Sequence, residues 1–405
     1  MVIDLSSKVY LFIPEGDAYY IRGNKYVLHV IMPQPQGSIG GADTHVLQLA
    51  SQQKKSSAYT PIVLFNRNRD YEKRLRDRKL AYISGINASN QEIADAMTSI
   101  HLFIDIVMIH SHQYGANFLT VDIKKKSHLF MEIPTVMTCH GWIENNEKDI
   151  LETKKDFDSY KFADALITVC QKDLTRLRHE QVSAGKMMYC INNGVEILSH
   201  YPTVSEILNF KYELGIGEES KVIGYVGRLA FEKRLDLIIA MFSVLLKKRT
   251  DCFLLIAGSG DERDRLEALS RSLGIDNNVI FLGYMNDPTI VYRAIDLLIL
   301  MSMTEGTPRC VLECMSCGRI AVATNVGDMQ EIIETGTDGL ILDNNEINQT
   351  ADKINELLEN YDRVNKMNRN AKLKIQKYFS IDRMQKKIEQ VYDNVLTLKS
   401  SKQTS

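Results

Sequence analysis

The chain carries almost no net charge and contains no long hydrophobic run, and each of these absences excludes a class of function. Its 49 Lys and Arg residues nearly balance 51 Asp and Glu residues, which gives a formal net charge of −2 over 405 residues. A near-neutral chain has no overall attraction to nucleic acid. No apolar stretch approaches the roughly 20 residues that a membrane-spanning helix needs. We therefore expect no nucleic-acid partner and no integral membrane segment.

The sequence also lacks the patterns that indicate a secretion signal, a disulfide framework or internal repeats, and we expect none of the three. The N-terminus has an acidic residue at Asp4 and no basic segment followed by an apolar one, which is the pattern of a secretory signal. Seven cysteines in such a chain are expected to be reduced thiols. These features predict a cytoplasmic protein. With 44% hydrophobic and 25% charged residues, the composition is that of a folded globular chain.

Short apolar runs alternate with helix-length amphipathic segments along most of the chain. In the N-terminal half the predicted strands are Tyr26–Met32, Thr60–Phe65, Ile104–His110, Thr135–Thr138, Ala165–Val169 and Met188–Ile191. In the C-terminal half they are Val222–Val226, Phe253–Ala257, Val279–Phe281, Leu297–Leu300, Ile320–Ala323 and Leu340–Leu342. Strands separated by helices form parallel sheets. We predict an α/β fold of two doubly wound, Rossmann-like domains that face each other across a cleft, with ligands at the carboxyl ends of the strands.

Breaks in the pattern predict the domain limits. The polar stretch before Lys221, with Pro202, Gly215 and Gly217, indicates a linker over 201–220. We expect an N-terminal domain over 1–200 and a C-terminal domain over 221–380. A helix over 381–398 is expected to return to the N-terminal domain, and a disordered tail to cover 399–405. Ahead of the first strong strand, a hairpin with a turn near Glu15–Asp17 is expected.

The segment Met301–Asp328 has the highest density of functional signals. Gly306 permits a tight turn, and Pro308 suits the first position of a helix that begins near Arg309. The free N–H groups of a helix start favour an anion or sugar oxygens. Glu305 and Glu313 lie eight residues apart, so that both can face one ligand. From spacing alone, an ordinary surface acid plus a helix-face acid is an equally good interpretation.

Five segments of the chain resemble the retaining glycosyltransferases of family 4, which have the two-lobed GT-B fold. They are Gly40–His45, Thr138–Gly141, Asn193–Glu196, Gly224–Lys233 and the E-x7-E segment Glu305–Glu313. They follow the order of the family over about 300 residues. The resemblance implies a metal-independent enzyme that takes its sugar from a nucleotide donor, with UDP as the expected nucleotide. It also implies that the N-terminal domain lies on the acceptor side and that the C-terminal domain binds the donor. It implies no cofactor besides this co-substrate.

The resemblance also implies roles for individual residues. Arg228 and Lys233 would hold the donor pyrophosphate, and Glu313 would bind the ribose hydroxyls. Glu305 would contact the donor sugar, and His140 would face that sugar from the N-terminal lobe. The full set of implied site residues is Gly40, Gly41, His140, Arg228, Lys233, Glu305, Gly306, Thr307, Pro308 and Glu313, with no metal ligand. The catalytic residues among them are His140, Arg228, Lys233 and Glu305.

One departure from the family pattern lies beside this set. Arg234 stands where the family usually has glycine, and it either narrows the loop or adds a third cation. A nucleotide-sugar 2-epimerase of the same fold is the main alternative function, and a catalytically inactive binding subunit is a third. The acceptor stays open among glycan, lipid-linked and small-molecule classes.

Three patterns imitate other sites. Cys310, Cys314 and Cys317 have a spacing that can bind an iron–sulfur cluster, but it equals one face of a helix, so that core packing is the preferred interpretation. Asp156-Phe157-Asp158 imitates a metal-binding DxD motif within a charged segment, for which we predict a surface helix.

The stretch Arg67–Lys79 has seven basic and three acidic residues. With Lys124–Lys126 it indicates either a solvated face or peripheral contact with anionic lipid at the inner face of the plasma membrane.

Overall fold

The structure is a computed structural model. It describes residues 1–14, 25–33, 40–56, 59–66, 68–85, 87–100, 104–142, 144, 146–180, 182, 185–343 and 346–403. The chain divides into two compact units. The first consists of Met1–Asn193 together with Ile381–Ser405, and the second of Gly194–Ser380. Within the described residues, none of the helices combines the length and the apolar character needed to span a membrane.

The first unit is built on a nine-stranded sheet in the order β1-β2-β5-β4-β3-β6-β7-β8-β9. Its strands are β1 (Val2–Ser6), β2 (Val9–Phe12), β3 (Tyr26–Ile31), β4 (Thr60–Phe65), β5 (Ala81–Ser84), β6 (Ile106–His112), β7 (Thr135–Cys139), β8 (Ala165–Thr168) and β9 (Met187–Cys190). Among the described strand pairs of this sheet, β1–β2 and β2–β5 are antiparallel and the others are parallel. Every residue of β3 is buried, because a parallel sheet is covered by helices on both faces.

Eight α-helices lie in the described part of this unit. They are α1 (Gly41–Ser56), α2 (Arg69–Asp77), α3 (Asn90–Met97), α4 (Gln113–Lys126), α5 (His128–Glu132), α6 (Glu147–Ser159), α7 (Gln171–His179) and α16 (Ile381–Gln403). The last helix packs its apolar face into the first unit beside Val27, Leu49 and Met108. The Tyr59 hydroxyl donates to Asp393 Oδ1 at 2.6 Å, which ties α16 to the start of β4.

The second unit is a fully parallel six-stranded sheet in the order β12-β11-β10-β13-β14-β15. Its strands are β10 (Lys221–Val226), β11 (Cys252–Ala257), β12 (Val279–Gly283), β13 (Leu297–Leu300), β14 (Ile320–Thr324) and β15 (Leu340–Leu342). Its helices are α8 (Val204–Glu213), α9 (Leu235–Leu246), α10 (Arg263–Ser272), α11 (Thr289–Ala294), α12 (Arg309–Ser316), α13 (Met329–Ile332), α14 (Ile347–Glu359) and α15 (Tyr361–Tyr378). One apolar core covers both faces of this sheet.

Two α/β units with parallel sheets confirm the predicted fold class, and all twelve predicted strands are present. The largest shift is in β6, which begins and ends two residues later than predicted. The Ile104 N–H instead donates to the Ile100 carbonyl in the preceding turn. The sequence missed β1, β2 and the four-residue β5. The hairpin of β1 and β2 turns at Ser7–Lys8, and the turn expected near Glu15–Asp17 lies outside the described residues.

Two segments differ from the expected linker and tail. The stretch 201–220 contains helix α8, whose start is stabilised by a capping box between Thr203 and Glu206. Phe210 and Leu214 of this stretch pack on the core of the second unit, so that it is folded structure. At the C-terminus, α16 continues to Gln403 instead of ending at Leu398. Lys399 there donates to the Glu132 carbonyl at 2.7 Å, which holds the added turn.

Candidate functional site

Both sheets have a point at which the direction of winding reverses. This point lies between β3 and β6 in the first unit and between β10 and β13 in the second. The loops that leave the carboxyl ends of such a strand pair diverge, and the crevice between them is the usual ligand site of doubly wound α/β proteins. The residues predicted from the sequence lie at these two places.

An ion pair joins the two loops of the second unit. Lys233 follows β10, and Glu305 follows β13. Lys233 Nζ donates to Glu305 Oε1 at 2.7 Å, and the Ser302 hydroxyl donates to the same oxygen at 2.7 Å. The side chains of Lys233 and Glu305 are only 19% and 12% exposed. The structure therefore brings together two predicted site residues and adds Ser302 to them.

The loop that carries Glu305 is fixed by backbone contacts. The Met303 N–H donates to the Glu232 carbonyl at 2.8 Å, and the Thr324 hydroxyl donates to the Ser302 carbonyl at 2.9 Å. Gly327 has a φ of +59°, and a Cβ atom there would lie 2.2 Å from the Gly306 carbonyl oxygen. Only glycine permits this approach. The Glu305 carboxylate is thus held by a rigid support before any ligand binds.

Arg228 places a second cation beside this pair. Its guanidinium contacts the Glu232 carboxylate, whose side chain is buried, while the Arg228 side chain is 52% exposed. The Tyr225 hydroxyl donates to the Arg228 carbonyl at 2.8 Å and holds the backbone after β10. Burial raises the pKa of Tyr225, so that its hydroxyl keeps its proton. Arg228 is therefore anchored at its base and accessible at its charged end.

Glu313 lies on α12 and is held by two donors. The Tyr292 hydroxyl donates to Glu313 Oε2 at 2.9 Å, and Arg309 Nη2 donates to Oε1 at 3.0 Å. Arg309 is buried and also donates from Nη1 to the Gly194 carbonyl at 3.2 Å. Pro308 occupies the N-cap position, one residue before the first helical position predicted for it. Thr307 before it is buried.

Arg234 has a left-handed backbone, with φ of 51° and ψ of 44°. Its Nε donates to Asp236 Oδ1 at 3.0 Å, and its Nη2 donates to Asp236 Oδ2 at 3.1 Å. The positive φ explains why glycine suits this position. Because the guanidinium is paired with Asp236, its charge is partly neutralised within its own turn.

In the first unit, histidines gather at the carboxyl ends of β3, β6 and β7. His29 lies on β3, His110 and His112 on β6, and His45 on α1, while His140 follows β7 and is half-buried. His112 Nδ1 lies 3.4 Å from His140 Nε2, and the rings of His45 and His140 stack edge to face at 4.7 Å. Burial lowers the pKa of His29 to about 4 and that of His112 well below its usual value. The predicted His140 therefore lies against a group of buried histidines.

The glycine pair at the start of α1 has a capping function. The Gly40 N–H donates to Asp43 Oδ2 at 2.8 Å, and the Gly40 carbonyl accepts from the Thr44 N–H at 3.1 Å. This amide is engaged in closing the helix start, and Gly41 is the first residue of α1.

Two of the imitating patterns have structural explanations. All seven cysteines are free, with Cys314 and Cys317 buried and Cys310 half-buried on α12. Burial raises the pKa of the Cys310 thiol to about 12. The surface prediction for the DxD motif is wrong for Asp156 but right for Asp158. Asp156 is buried and accepts from Asn117, Trp142 and Tyr160, because helix α6 turns that residue toward α4.

The basic stretch forms the amphipathic helix α2, with Tyr71 and Leu75 buried. Arg76 contacts Glu72 at 2.7 Å and lies over the Phe12 ring at 4.9 Å from its centroid. Part of the charge is therefore paired within the unit. Arg67 lies outside the described residues.

Sequence reasoning missed several residues of these sites. Glu232 and Ser302 lie four and three residues from their predicted partners, but in loop segments where such spacing predicts no contact, and Tyr292 is 21 residues from Glu313. Arg309 is four residues before Glu313, and that spacing on a helix is a usable signal for a pair. The histidine cluster is assembled by strand register, since His29 pairs with His110 across β3 and β6.

Comparisons with known proteins agree with this geometry. The family model Glycosyltransferase Family 4 matches residues 39–197, and the model Glycosyl transferases group 1 matches residues 207–374. An uncharacterized glycosyltransferase of Methanocaldococcus jannaschii is 26% identical over 299 residues, which are 70% of this chain and 74% of that protein. The N-acetyl-alpha-D-glucosaminyl L-malate synthase of Bacillus anthracis is 25% identical over 231 residues. That match covers 57% of this chain and 60% of the synthase, less than two thirds of its length.

Solved structures share the fold. HepE from Anabaena, crystallised in complex with UDP and glucose, superposes with a TM-score of 0.78 at 19% identity. The match covers 91% of this chain and 100% of that one.

Proposed function

The chain belongs to the glycosyltransferases of Family 4 type with the GT-B fold, and we propose that it moves a sugar from a UDP-linked donor to an acceptor. We further propose that the transfer retains the anomeric configuration of the sugar and uses no metal ion. The observation that carries this proposal is the Lys233–Glu305 pair at the carboxyl ends of β10 and β13, with Arg228 beside it.

The chemistry requires stabilisation of a leaving group. When the bond between the sugar and the nucleoside diphosphate breaks, negative charge grows on the diphosphate. Preorganised cations that face the growing charge lower the barrier, because they need no reorganisation when the bond breaks. Lys233 is fixed by Glu305, and Arg228 reaches solvent from an anchored backbone. These two cations supply charge of the kind that a metal ion brings in other transferases.

Glu313 suits the nucleoside end of the donor. Its two oxygens are oriented by Tyr292 and Arg309, yet the side chain is not fully buried. A carboxylate held in this way accepts from the two hydroxyls of a ribose. Glu305, Gly306 and Thr307 then lie on the sugar side, where the start of α12 offers backbone N–H groups. In the first unit, we propose that His140 contributes a contact to the donor sugar.

The relatives support the identity of the donor and leave the acceptor class open. The Anabaena structure contains UDP and glucose, and the Bacillus enzyme is named for the transfer of an N-acetylglucosaminyl group. A UDP-hexose or UDP-N-acetylhexosamine is therefore the first donor to test. The acceptor is a glycan, a lipid-linked precursor or a small molecule. We propose a cytoplasmic enzyme whose helix α2 contacts anionic lipid, which co-sedimentation with phosphatidylglycerol vesicles tests.

The decisive experiment measures donor binding and turnover together. UDP-, GDP- and ADP-sugars are titrated into the wild type, Lys233→Ala and Lys366→Ala, with Lys366 as an exposed lysine on α15. We expect UDP-sugar binding that is weakened at least tenfold only in Lys233→Ala. Equal binding by both variants contradicts the proposed site. An NMR time course with UDP-GlcNAc and no acceptor separates the 2-epimerase, which would convert this donor, from a transferase, which would not epimerise it.

A further inference from the structure

Five of the nine histidines lie together in the first unit, at the point where the winding of its sheet reverses. They are His29, His45, His110, His112 and His140. Three different elements and one loop supply them, so that helix periodicity does not explain their meeting. Four of the five are completely or almost completely buried, with exposures of 0 to 1%. A cluster of this size at the ligand-binding edge of a sheet needs a chemical explanation.

Three of these side chains converge on one point. One ring nitrogen each from His45, His112 and His140 lies within 4.8 Å of the other two. Within the part of the chain that the structure describes, the one other group close enough for a metal is His29, His110 and His112, which shares His112. Because imidazole is the commonest protein ligand of Zn²⁺ and its neighbours in the periodic table, the spacing points to a metal.

Hydrogen bonds determine which nitrogens carry lone pairs. Asn193 Oδ1 lies 2.9 Å from His45 Nδ1, and because a carbonyl oxygen only accepts, the proton of His45 is on Nδ1. Gln53 Oε1 lies 2.7 Å from His29 Nε2, which places the His29 proton there and leaves its Nδ1 as an acceptor. His29 Nδ1 is 3.2 Å from His112 Nε2, which must donate. His45 Nε2 and His112 Nδ1 are consequently lone-pair nitrogens.

This arrangement is that of metal-ligating histidines in general. Such a histidine binds the metal through one nitrogen and donates the other N–H to an oxygen or nitrogen that orients the ring. Asn193 has this orienting role for His45, and the His29–Gln53 pair has it for His112. His110 is different, since its two nitrogens lie 2.6 Å from the Tyr392 hydroxyl and 2.7 Å from the Thr138 hydroxyl. His110 is therefore a supporting residue and not a ligand.

The distances fit a tetrahedral ion. Zn–N bonds of 2.0–2.1 Å at tetrahedral angles separate two ligand nitrogens by about 3.3 Å. His112 Nδ1 and His140 Nε2 are 3.4 Å apart. The ligand nitrogen of His45 lies within 4.8 Å of both, and the half-buried His140 leaves the group accessible from one side. With three protein nitrogens, the fourth position is left for water or another small ligand.

We propose that His45, His112 and His140 bind one divalent transition-metal ion of the Zn²⁺ class. This inference goes beyond the proposed function, because sugar transfer in that proposal uses no metal. The ion would be coordinated by the imidazole of His140, so that excess Zn²⁺ would compete with the sugar that we propose this residue contacts. Hard cations such as Mg²⁺, which prefer oxygen ligands, would not bind there.

The test uses Co²⁺ and Zn²⁺ as probes on the full chain, freed of metal by dialysis. For the wild type we expect one equivalent of Co²⁺ with the intense visible absorption of a tetrahedral site, displaced by Zn²⁺. His140→Ala and His45→Gln should each lower the affinity at least tenfold. His179→Ala, which removes an exposed histidine on α7, should bind as the wild type does.

Two results overturn the proposal. One is the absence of a one-to-one complex in the wild type, and the other is undiminished binding by His140→Ala and His45→Gln. His140 is half-buried, so that its replacement leaves the folded unit measurable by thermal unfolding even where His45→Gln does not fold. Because the experiment measures only metal binding, its outcome does not depend on the UDP-sugar turnover that tests the proposed function.

Discussion

Lys233 Nζ donates to Glu305 Oε1 at 2.7 Å, although the two residues lie 72 positions apart and on loops after different strands. β10 and β13 are neighbours in the sheet, and the pair joins their loops where the winding reverses. Glu305 does not depend on Lys233 alone for a partner, because Ser302 also donates to the same oxygen. The cation is thus held in place while it keeps donors for a phosphate.

Replacement of Lys233 is expected to impair the chemical step. Lys233→Ala removes the cation that we propose stabilises the leaving group, and the loss of one preorganised group of this kind costs on the order of 10²-fold in kcat. Lys233→Arg should retain more activity than Lys233→Ala because it keeps the charge. Initial rates of UDP release at saturating donor measure the effect, and wild-type turnover in Lys233→Ala would remove this residue from the mechanism.

Glu305 and Lys233 should behave as one unit. In a double-mutant cycle with Lys233→Ala and Glu305→Gln, the second substitution should cost much less than it does alone, since groups in direct contact are not additive. Rates for the wild type, both single variants and the double variant give the coupling. Strict additivity would show that the ion pair has no part in turnover.

Tyr292 is predicted to act on donor binding. Tyr292→Phe removes the hydroxyl that orients Glu313 Oε2, and a hydrogen bond to a charged group contributes about 2 kcal/mol. We expect a KM for the donor that rises roughly tenfold, with kcat changed little. Tyr361→Phe, on an exposed tyrosine of the same unit, is the control. A fall in kcat at unchanged KM would instead place Tyr292 in the chemical step.

Arg234 is expected to contribute little to the donor site. Arg234→Gly removes the strain of a left-handed backbone, which stabilises the fold by about 1 kcal/mol. The same change loses a part-exposed ion pair and makes the unfolded chain more flexible, and together these two effects destabilise the fold by a similar amount. The unfolding temperature and the donor affinity should both stay near the wild-type values. Titration of the donor against both proteins checks this, and a tenfold weaker complex would make Arg234 the third cation.

The two acids of the DxD motif should differ sharply. Asp156→Ala leaves the buried donors of Asn117, Trp142 and Tyr160 without their acceptor, and we expect a loss of about 3 kcal/mol in unfolding free energy. Asp158→Ala changes an acid that is 73% exposed and should cost under 0.5 kcal/mol. Urea denaturation of both variants makes the comparison. Equal stabilities would contradict the buried network.

The rate at which a thiol reagent modifies the cysteines should show which thiols are buried. The pKa values of Cys310 and Cys317 are raised by burial to about 12 and about 11, so that both thiols stay protonated well above neutral pH. Modification of the folded protein by a disulfide reagent should leave both untouched at pH 8 and accelerate tenfold per pH unit above it. All seven cysteines should react in urea. Rapid labelling of Cys310 at pH 7, located by mass spectrometry, would contradict this.

The sequence predicted the parts of the molecule in which local pattern and tertiary structure agree. The fully buried run of β3 and the E-x7-E segment are examples, because apolar length and turn residues mark their limits. β5 was not predicted because its end residues Ala81 and Ser84 add little apolar signal, whereas β13 of the same length is apolar throughout. Tyr292 escaped because its contact with Glu313 depends on how α11 and α12 pack, which one sequence does not reveal. His29 and His110 meet through strand register, which a single sequence does not reveal.

Helix α16 gives the first unit a discontinuous chain. Tyr392 meets His110, and Asp393 meets Tyr59, across some 280 and 330 positions of sequence. During synthesis, the second unit is therefore complete while the first still exposes the apolar groove that α16 fills. The unit that emerges first from the ribosome closes last, and its unfilled groove is the surface on which a chaperone would act.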